Sequence, residues 1–354
     1  MKNPKVLIVG AGPTGLTAAV ELARQGIVPT IIDRKEGPST LSRAVGILPR
    51  SLKILEPSGV TDRLVGEGVK MQRVQLYFGD RRALSLSLRG GHPERDYIVG
   101  LAQDRTVAAL RDALVKFGGE VRYGCEFSGL EQNKERVVVR TGNREEVADY
   151  VLGADGVRSA VRESVGLEFP GFDLPETWSI ADVDARNWRH PSDFTACHLG
   201  EGRVVVVAPL ESERYRVVSN SEDALKALPL ELDVTKVRRE GQFKISIRQV
   251  NTYRVGWVFF AGDSAHCHSP AGGRGMNLGI ADAAEFANGV VADRLDDYDR
   301  FRHLEGENTI TTTEGIRGML TSTGWRRTML RLGAQTLEWL PPLHGLVARR
   351  FLTS

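Results

Sequence analysis

Three glycines near the start of the chain have the spacing of a dinucleotide-binding turn. Gly10, Gly12 and Gly15 follow the pattern G-x-G-x-x-G directly after a short apolar run. The first glycine allows a tight turn, the second lets the backbone approach a pyrophosphate, and the third lets helix and strand pack closely. The segment from Leu16 to Gln25 has apolar residues at helical spacing, and the N-terminus of this helix would direct unpaired N–H groups at the phosphates. The turn predicts a dinucleotide but does not choose between NAD and FAD.

An acidic residue stands where such a site needs one. Asp33 follows the apolar run Val28–Ile32, about twenty residues after the glycines. A carboxylate at the end of the second strand accepts hydrogen bonds from ribose hydroxyls. Arg34 comes next and is a further candidate for the cofactor site.

Two later segments carry residues suited to a flavin. Asp155-Gly156 follows a short apolar strand, and Gly262-Asp263 follows the dense apolar run Trp257–Ala261. Asp263 at the end of that strand can bond the hydroxyls of a ribityl chain. Pro270 is followed by Gly272, Gly273 and Gly275, and a loop this rich in glycine can lay its backbone amides against a flat ring. A helix starting near Met276-Asn277 would stabilise negative charge on that ring.

In this order, the three motifs resemble the markers of the FAD-dependent single-component aromatic hydroxylases, typified by para-hydroxybenzoate hydroxylase and the polyprenyl-phenol hydroxylases. The resemblance extends from residue 5 to about residue 302. It implies that the dinucleotide is FAD. The cofactor-binding residues expected on this basis are Gly10, Gly12, Pro13, Thr14, Gly15, Asp33, Arg34, Arg43, Gln103, Arg105, Asp155, Asp263, Gly273, Gly275, Met276 and Asn277.

Some of these residues rest on the resemblance alone. It places Arg43 at the flavin pyrophosphate, and Gln103 with Arg105 near the adenosine end. The family often has an acidic residue four positions after that glutamine, where this chain has Val107. Gln103 and Arg105 would otherwise be polar surface residues that precede a helix. Asp155 would reach the pyrophosphate through its backbone or a water molecule.

The resemblance also implies a reaction. NADPH or NADH would reduce FAD, and reduced FAD would trap O2 as a C4a-hydroperoxide that hydroxylates an aromatic small molecule. Phenolic, quinolone and polyketide-like compounds are the expected substrates. Because the flavin carries the chemistry, no dedicated acid–base residue is required. Pro270, which the family places beside the reactive face of the flavin, is the one catalytic candidate.

Other functions are compatible with the same scaffold. A flavin-dependent reductase or other oxidoreductase acting on an isoprenoid-type substrate is one alternative, and a non-enzymatic binding protein of this fold is another. The binding protein would be colourless, and the intact Gly262-Asp263 motif argues against it. A flavin halogenase would carry a Trp-x-Trp-x-Ile-Pro signature, which is absent from this sequence.

Several histidines invite a metal interpretation. His266, Cys267 and His268 are adjacent, but consecutive residues of an extended segment point to alternating sides, so we expect no metal site. His266 matches the family's usual histidine and is expected to be structural. His198 would lie on a strand of the inserted sheet, either facing the flavin or as an ordinary strand histidine.

The elements that must position these residues indicate an α/β fold. Parallel-type strands near both ends bracket a block of alternating, antiparallel-type strands. We expect a discontinuous, Rossmann-like FAD domain built on the G-x-G-x-x-G βαβ unit, with an inserted, mostly antiparallel substrate domain and helices at the C-terminal end. The expected ranges are 1–70, 98–175 and 255–300 for the FAD domain, 71–97 and 176–254 for the substrate domain, and 301–354 for the helices.

Composition limits the partners. The 354 residues include 47 basic and 45 acidic ones, and a net charge of +2 favours neither nucleic acid nor an anionic membrane. Three scattered cysteines and a start without a signal-peptide pattern predict a cytoplasmic protein without a transmembrane segment. A monomer or homodimer is expected. The apolar and basic tail after Trp325 predicts a packed helix, with peripheral membrane contact as the alternative.

Overall fold

The computed structural model describes residues 4–38, 44–142 and 144–352. Its strands, in chain order, are β1 (Val6–Val9), β2 (Thr30–Ile32), β3 (Gly46–Ile47), β4 (Val69–Met71), β5 (Arg73–Phe78), β6 (Arg81–Ser87), β7 (Ile98–Gly100), β8 (Val121–Arg122), β9 (Phe127–Gln132), β10 (Val137–Thr141), β11 (Arg144–Ala148), β12 (Tyr150–Gly153), β13 (Gly171–Arg186), β14 (Phe194–Gly200), β15 (Arg203–Glu211), β16 (Arg214–Ser219), β17 (Asp233–Gln249), β18 (Arg254–Val255), β19 (Val258–Phe260) and β20 (His266–Cys267).

Helices fill most of the remaining chain. They are α1 (Pro13–Ala23), α2 (Pro49–Leu55), α3 (Val60–Glu67), α4 (Gln103–Lys116), α5 (Ala160–Ser164), α6 (Ala224–Ala227), α7 (Gly275–Val291), α8 (Tyr298–Leu320), α9 (Gly324–Glu338) and α10 (His344–Leu352). Short 3-10 turns cover Glu56–Ser58, Gly262–Ser264 and Pro341–Leu343.

A six-stranded sheet carries the glycine-rich turn. Its strand order is β18-β19-β12-β1-β2-β8, and every neighbouring pair is parallel except β18 with β19. The central strands are apolar on both faces because helices cover them, with α1 packed against both α4 and α7. The carboxyl ends of β1, β12 and β19 therefore lie side by side, and each of the three motifs follows one of these ends.

An eight-stranded sheet forms the second layer of structure. Its order is β20-β17-β13-β16-β15-β14-β5-β6, and its strand pairs are antiparallel except for β14 with β5. Its central strands are buried on both faces rather than on one, because consecutive residues such as Ala196 and Cys197 join separate apolar clusters on opposite sides of the sheet. Its strands come mainly from residues 73–87 and 171–249, and the short β20, which precedes the Pro270–Asn277 segment, joins its edge. The exact domain ranges stay a prediction.

Two three-stranded sheets complete the described strands. One is the meander β11-β10-β9, and the other has the order β3-β7-β4. The second sheet lies between the larger layers, because β7 and β4 also contact β15 of the eight-stranded sheet. Since Ile47 of β3 and Val99 of β7 also belong to the core around the six-stranded sheet, this small sheet connects the two large sheets.

The C-terminal helices pack mainly on the inserted sheet. Leu330, Ala334 and Leu337 of α9 join the apolar cluster that covers β5 and β6. The outward face of α9 carries Trp325, which is 72% exposed, and Trp339 follows its last turn at 85% exposed. Within the described ranges, no helix is both long and apolar enough to cross a membrane.

The architecture confirms the expected α/β fold, with differences at element ends. The second strand begins at Thr30 rather than Val28, because Gly26 turns the chain with a positive φ and residues 27–29 form the connection. Helix α4 begins at Gln103, three residues before the apolar periodicity starts at Thr106. Helix α7 begins at Gly275, one residue before Met276.

Candidate functional site

The glycine-rich turn has two closed positions and one open position. A Cβ on Gly10 would overlap the carbonyl oxygen of Ala154, and a Cβ on Gly15 would overlap the carbonyl oxygen of Gly10. A Cβ on Gly12 would meet no atom of the described residues within 4 Å, its chain neighbours apart. Gly10 and Gly15 are therefore required by protein packing. Gly12 instead faces free space at the start of α1, where a ligand backbone can approach.

The start of α1 is suited to bind an anion. Pro13 occupies the first helical turn, and Gly12 gives the helix no side-chain cap among the described residues. The N–H groups of the first turn therefore keep their positive partial charge for a ligand. Thr14 lies against Gly262 and Gly279, since a Cβ on Gly262 would come within 2.5 Å of its hydroxyl oxygen. This close packing fixes the start of α1 beside the third motif.

Asp33 holds the turn from the neighbouring strand. Its Oδ2 accepts from the N–H of Ala11 at 2.8 Å, and its Oδ1 accepts from the N–H of Lys35 at 2.9 Å. The carboxylate is half-buried, so each oxygen has lone pairs left for ribose hydroxyls. The adjacent Arg34 is exposed. The structure thus gives Asp33 a role in shaping the turn that the spacing did not reveal.

Asp155 lies directly beneath the first glycine. A Cβ on Gly10 would come within 2.9 Å of the Cα of Asp155, so the first and second motifs are in contact. Oδ2 of Asp155 accepts from the N–H of Val161 at 3.2 Å, whereas its buried Oδ1 has no partner among the described residues. Burial raises the pKa of Asp155. An acceptor left in this state is suited to a donor from a ligand or a water molecule.

The third motif differs in detail from the expected strand end. Strand β19 stops at Phe260, and Asp263 lies exposed on the 3-10 turn that follows, not on the strand itself. Gly262 permits this turn because its φ is +62°. The N–H of Gly262 donates to Oδ2 of Asp282 at 2.9 Å. The exposed Asp263 carboxylate is therefore presented beside the start of α1.

The loop from Pro270 to Asn277 leads into α7. Pro270 is exposed, and Gly272 and Gly273 both have positive φ, which makes glycine necessary at these positions. Asn277 is buried and donates through Nδ2 to the carbonyls of Gly273 and Gly46, at 2.7 and 2.9 Å. Its side chain therefore fixes the loop to β3 from inside the first turn of the helix. Gly275 and Met276 complete that turn.

The residues expected at the adenosine end lie at the start of α4. Oε1 of Gln103 accepts from the N–H of Ala44 at 3.1 Å, so this side chain holds the segment that precedes β3. Arg105 is exposed and forms an ion pair with Glu67 at 2.9 Å. Arg43, expected at the pyrophosphate, lies outside the described residues.

A buried ionic cluster supports the third motif, and the sequence did not reveal it. Asp282 accepts from His266 Nε2 at 2.6 Å and from Arg302 Nε at 2.6 Å, in addition to the N–H of Gly262. Burial tends to raise the pKa of Asp282, but Arg302 and then His266 outweigh that effect and lower it to about 2. His266 is thus buried against a carboxylate. The one sign of this cluster in the sequence was Asp282 itself, an acidic residue within the mostly apolar segment of α7.

The remaining histidine candidate contacts the C-terminal helices. His198 is buried, its ring stacks on Phe78, and Nε2 lies 3.4 Å from the hydroxyl of Ser322. Arg327 donates to its Nδ1 at 3.3 Å. The ring of His198 is therefore enclosed between the sheet and the α8–α9 connection. Burial, together with the charge of Arg327, lowers its pKa.

His268 carries an unused acceptor beside the flavin-type loop. Its Nδ1 lies 2.9 Å from the carbonyl oxygen of Ser269, which requires the proton on Nδ1 and leaves Nε2 as an acceptor. Nε2 is buried without a partner among the described residues, and a Cβ on Gly275 would lie 3.8 Å from it. Burial, aided by the nearby His266, lowers the pKa of His268 to about 4. The imidazole is therefore neutral at neutral pH.

This titration gives a pH prediction. His268 is protonated near pH 6.5 in the unfolded chain but only near pH 4 in the folded protein. Between these two values the unfolded state binds more protons, so the free energy of unfolding decreases as the pH falls from 6.5 to about 4. The contribution amounts to as much as about 3 kcal/mol. A His268→Gln variant should show a shallower loss in urea unfolding measured from about pH 7 to about pH 4.5. His190 and His198, whose pKa values are also lowered, contribute equally to the pH dependence of the wild-type protein and of the His268→Gln variant. Identical pH dependence of the two proteins would contradict the prediction.

The residues present fit FAD. The open side of Gly12 and the uncapped start of α1 suit a pyrophosphate, and Asp33 suits the ribose that follows. The start of α7 and its glycine loop suit an isoalloxazine ring. Packing of Thr14 against Gly262 and Gly279 joins the two helix starts into one site.

Comparison with known proteins supports this assignment. The family model described as an FAD binding domain matches residues 3–311 of the chain. The match covers all three motifs and all eight strands of the inserted sheet.

Curated relatives share about a third of the residues. The chain is 33% identical over 345 residues to the "Uncharacterized aromatic compound monooxygenase YhjG" of Bacillus subtilis, covering 89% of this chain and 68% of that protein. It is 33% identical over 309 residues to the 6-methylpretetramide 4-monooxygenase of Streptomyces rimosus, covering 80% of this chain and 55% of that protein. The chain thus spans little more than half of the second relative.

The fold is shared with a solved structure. The crystal structure of p-nitrophenol 4-monooxygenase PnpA from Pseudomonas putida DLL-E4 matches 98% of this chain and 97% of its own, with a TM-score of 0.90 and 22% identity. At this identity the likeness establishes the fold. Taken with the family match and the relatives, it shows that the chain belongs to the FAD-dependent monooxygenase family that carries this FAD binding domain.

Proposed function

We propose that the chain is an FAD-dependent, NAD(P)H-consuming monooxygenase that hydroxylates an aromatic small molecule. The observation that carries the proposal is the joint site formed by the starts of α1 and α7. Thr14 packs between Gly262 and Gly279, and Gly12 beside it leaves room for a pyrophosphate. One extended dinucleotide can then reach both helix starts, as FAD would require.

The residues of the chain bind and orient the cofactor in this proposal. The start of α1 holds the pyrophosphate, Asp33 the ribose, and Asp263 the ribityl hydroxyls, while the start of α7 stabilises negative charge on the flavin ring. FAD held by these residues would supply the redox chemistry, in which electrons from NADPH or NADH reduce O2 so that one oxygen atom enters the substrate and the other leaves as water. Pro270, exposed at the edge of the loop, would border the reacting position. His268 stays neutral beside the loop and adds no competing charge.

The names of the relatives support an aromatic substrate. One relative is described as an aromatic compound monooxygenase, and another as a 6-methylpretetramide 4-monooxygenase. For this chain we propose a phenolic, quinolone or polyketide-like compound, bound between the flavin loop and the eight-stranded sheet. A chemistry delivered by the cofactor needs few polar side chains in such a pocket.

The setting of the reaction follows from composition. A net charge of +2 fits a small-molecule partner rather than nucleic acid. No disulfide joins Cys125, Cys197 and Cys267, which fits a reducing compartment such as the cytoplasm. We propose a monomer or homodimer.

Oxygen labelling tests the proposal. The purified protein, supplied with FAD and NADPH or NADH, should consume the nicotinamide with phenols, quinolones or polyketides under ¹⁸O2. The product should be heavier by one ¹⁸O atom. A product that gains two hydrogens and no label would instead establish a reductase. Full nicotinamide oxidation without any labelled product across all three compound classes would count against the proposal.

A further inference from the structure

A buried ion pair lies inside the eight-stranded sheet. Asp182 of β13 and Arg216 of β16 are directly opposite in the register of the two strands. Arg216 donates through Nε and Nη2 to the two carboxylate oxygens of Asp182, at 2.6 and 2.7 Å. The side chains are 0% and 4% exposed. Two parallel hydrogen bonds hold the guanidinium in one orientation.

The remaining nitrogen of the Arg216 guanidinium, Nη1, binds the segment that precedes β3. Nη1 of Arg216 donates to the carbonyl oxygen of Ala44 at 3.1 Å. The N–H of the same Ala44 donates to Gln103 at the start of α4. Arg216 of the inserted sheet therefore binds the carbonyl of Ala44, and Gln103 of α4 binds the N–H of the same residue.

The segment that begins at Ala44 leads straight to the flavin-type loop. Gly46, two residues on, accepts from Asn277, and the N–H of Leu48 donates to Oδ1 of Asn277 at 2.8 Å. Residues 44–48 thus connect Arg216 in the sheet to the first turn of α7. Arg43, the residue expected at the pyrophosphate, immediately precedes this segment.

Stability alone does not explain a buried pair here. Replacing a buried ion pair with apolar residues of similar volume is often neutral or stabilising, because desolvation offsets the attraction between the charges. Leucine and methionine would have apolar neighbours on the same face of the sheet, where Ile180, Val218 and Ala208 lie beside the pair. What apolar residues cannot supply is a fixed donor for the Ala44 carbonyl. The requirement for that donor accounts for the pair.

We propose that Arg216, held by Asp182, is a positioning residue that fixes residues 44–48 beside the flavin loop and so couples the inserted sheet to FAD binding. The inference rests on the proposed function, because it takes FAD as the ligand. Arg216 acts through the backbone of Ala44. Its expected signature is a change in FAD affinity and in the flavin spectrum that stability does not explain.

The test compares paired substitutions in the full chain. The double variant Asp182→Leu with Arg216→Met should unfold at nearly the wild-type temperature, yet bind FAD at least about tenfold more weakly. Arg216→Lys keeps the charge but not the fork, so its FAD affinity should fall between the two. FAD binding is measured by quenching of flavin fluorescence, and the flavin absorption band reports the surroundings of the ring.

A neighbouring pair provides the control. Asp184 lies two residues after Asp182 on β13 and bonds Arg238 of β17 at 2.6 Å, but the Arg238 side chain is 45% exposed. Arg238→Met should leave FAD affinity and the flavin spectrum unchanged.

Two outcomes would overturn the inference. One is wild-type FAD affinity and spectrum in the double variant. If that variant does not fold, wild-type values in Arg216→Lys have the same force. In either case a wild-type protein that binds FAD keeps the proposed function intact, whereas a wild-type protein that does not bind FAD overturns the proposed function itself.

Discussion

A Gly12→Val variant is expected to fold like the wild-type protein and to lose FAD. The backbone of Gly12 has φ −77° and ψ −179°, an extended conformation that any residue adopts. Its Cβ would meet no atom within 4 Å in the part of the chain that the structure describes, its chain neighbours apart. The new side chain would therefore occupy only the space proposed for the pyrophosphate. FAD affinity should fall at least about 100-fold, equivalent to about 2.7 kcal/mol, while the unfolding temperature stays close to wild type.

Two further glycines complete this experiment. Gly15→Val places its side chain against the Gly10 carbonyl, so it should lower both stability and FAD binding. Gly333→Val, on the exposed face of α9 with open space around it, should change neither FAD binding nor the fold. Titration with FAD and thermal unfolding separate the three variants. Unchanged FAD affinity in Gly12→Val would remove the pyrophosphate from the start of α1.

Among the variants proposed for this protein, Asp282→Ala, which removes a buried carboxylate, should lower the free energy of unfolding the most. Asp282→Ala leaves Arg302 buried with only Glu305 as an anionic partner among the described residues, and it deprives the N–H of Gly262 of its acceptor. Breaking a buried ion pair from one side costs about 3–5 kcal/mol. FAD binding should weaken as well, because the Gly262 turn presents Asp263. Denaturant unfolding with and without FAD measures both effects.

The surface supplies the comparison for Asp282. Asp297 and Arg300 form an ion pair at 3.3 Å with side chains 58% and 72% exposed. Asp297→Ala should change the free energy of unfolding by no more than about 1 kcal/mol. The pKa of Asp282, at about 2, lies below its ordinary value. Its contribution is therefore present above about pH 4 and is lost as the pH falls towards 2. Equal effects of the two alanine substitutions would contradict the role given to Asp282.

Local pattern was sufficient for the cofactor half of the fold. The strand, turn and helix from Val6 to Ala23 are encoded in adjacent residues, because glycine spacing and apolar periodicity act over a few positions. The alternating segments likewise predicted an antiparallel insert. The pairing of β14 with β5 could not be predicted in this way, since the parallel neighbours come from strands far apart in sequence.

The supporting contacts of the site depend on long-range packing. Asp282 and Arg302 are twenty residues apart on different helices, and only the fold brings them to His266. Asp182 and Arg216 meet through strand register, which a one-residue slip would abolish. Asp33 was predicted for the ribose, but its bond to the Ala11 N–H depends on how the second strand packs beside the glycine turn, which residue spacing does not encode. Individual polar residues in apolar runs were the signals available for such contacts.

The FAD content of the wild-type protein tests the central claim most directly. Purified protein is denatured, and the released flavin is identified by mass and quantified against the chain. We expect FAD, at about one molecule per chain after incubation with the cofactor and removal of the excess. A colourless protein that retains no FAD after such incubation, while remaining folded, would contradict the assignment of the site.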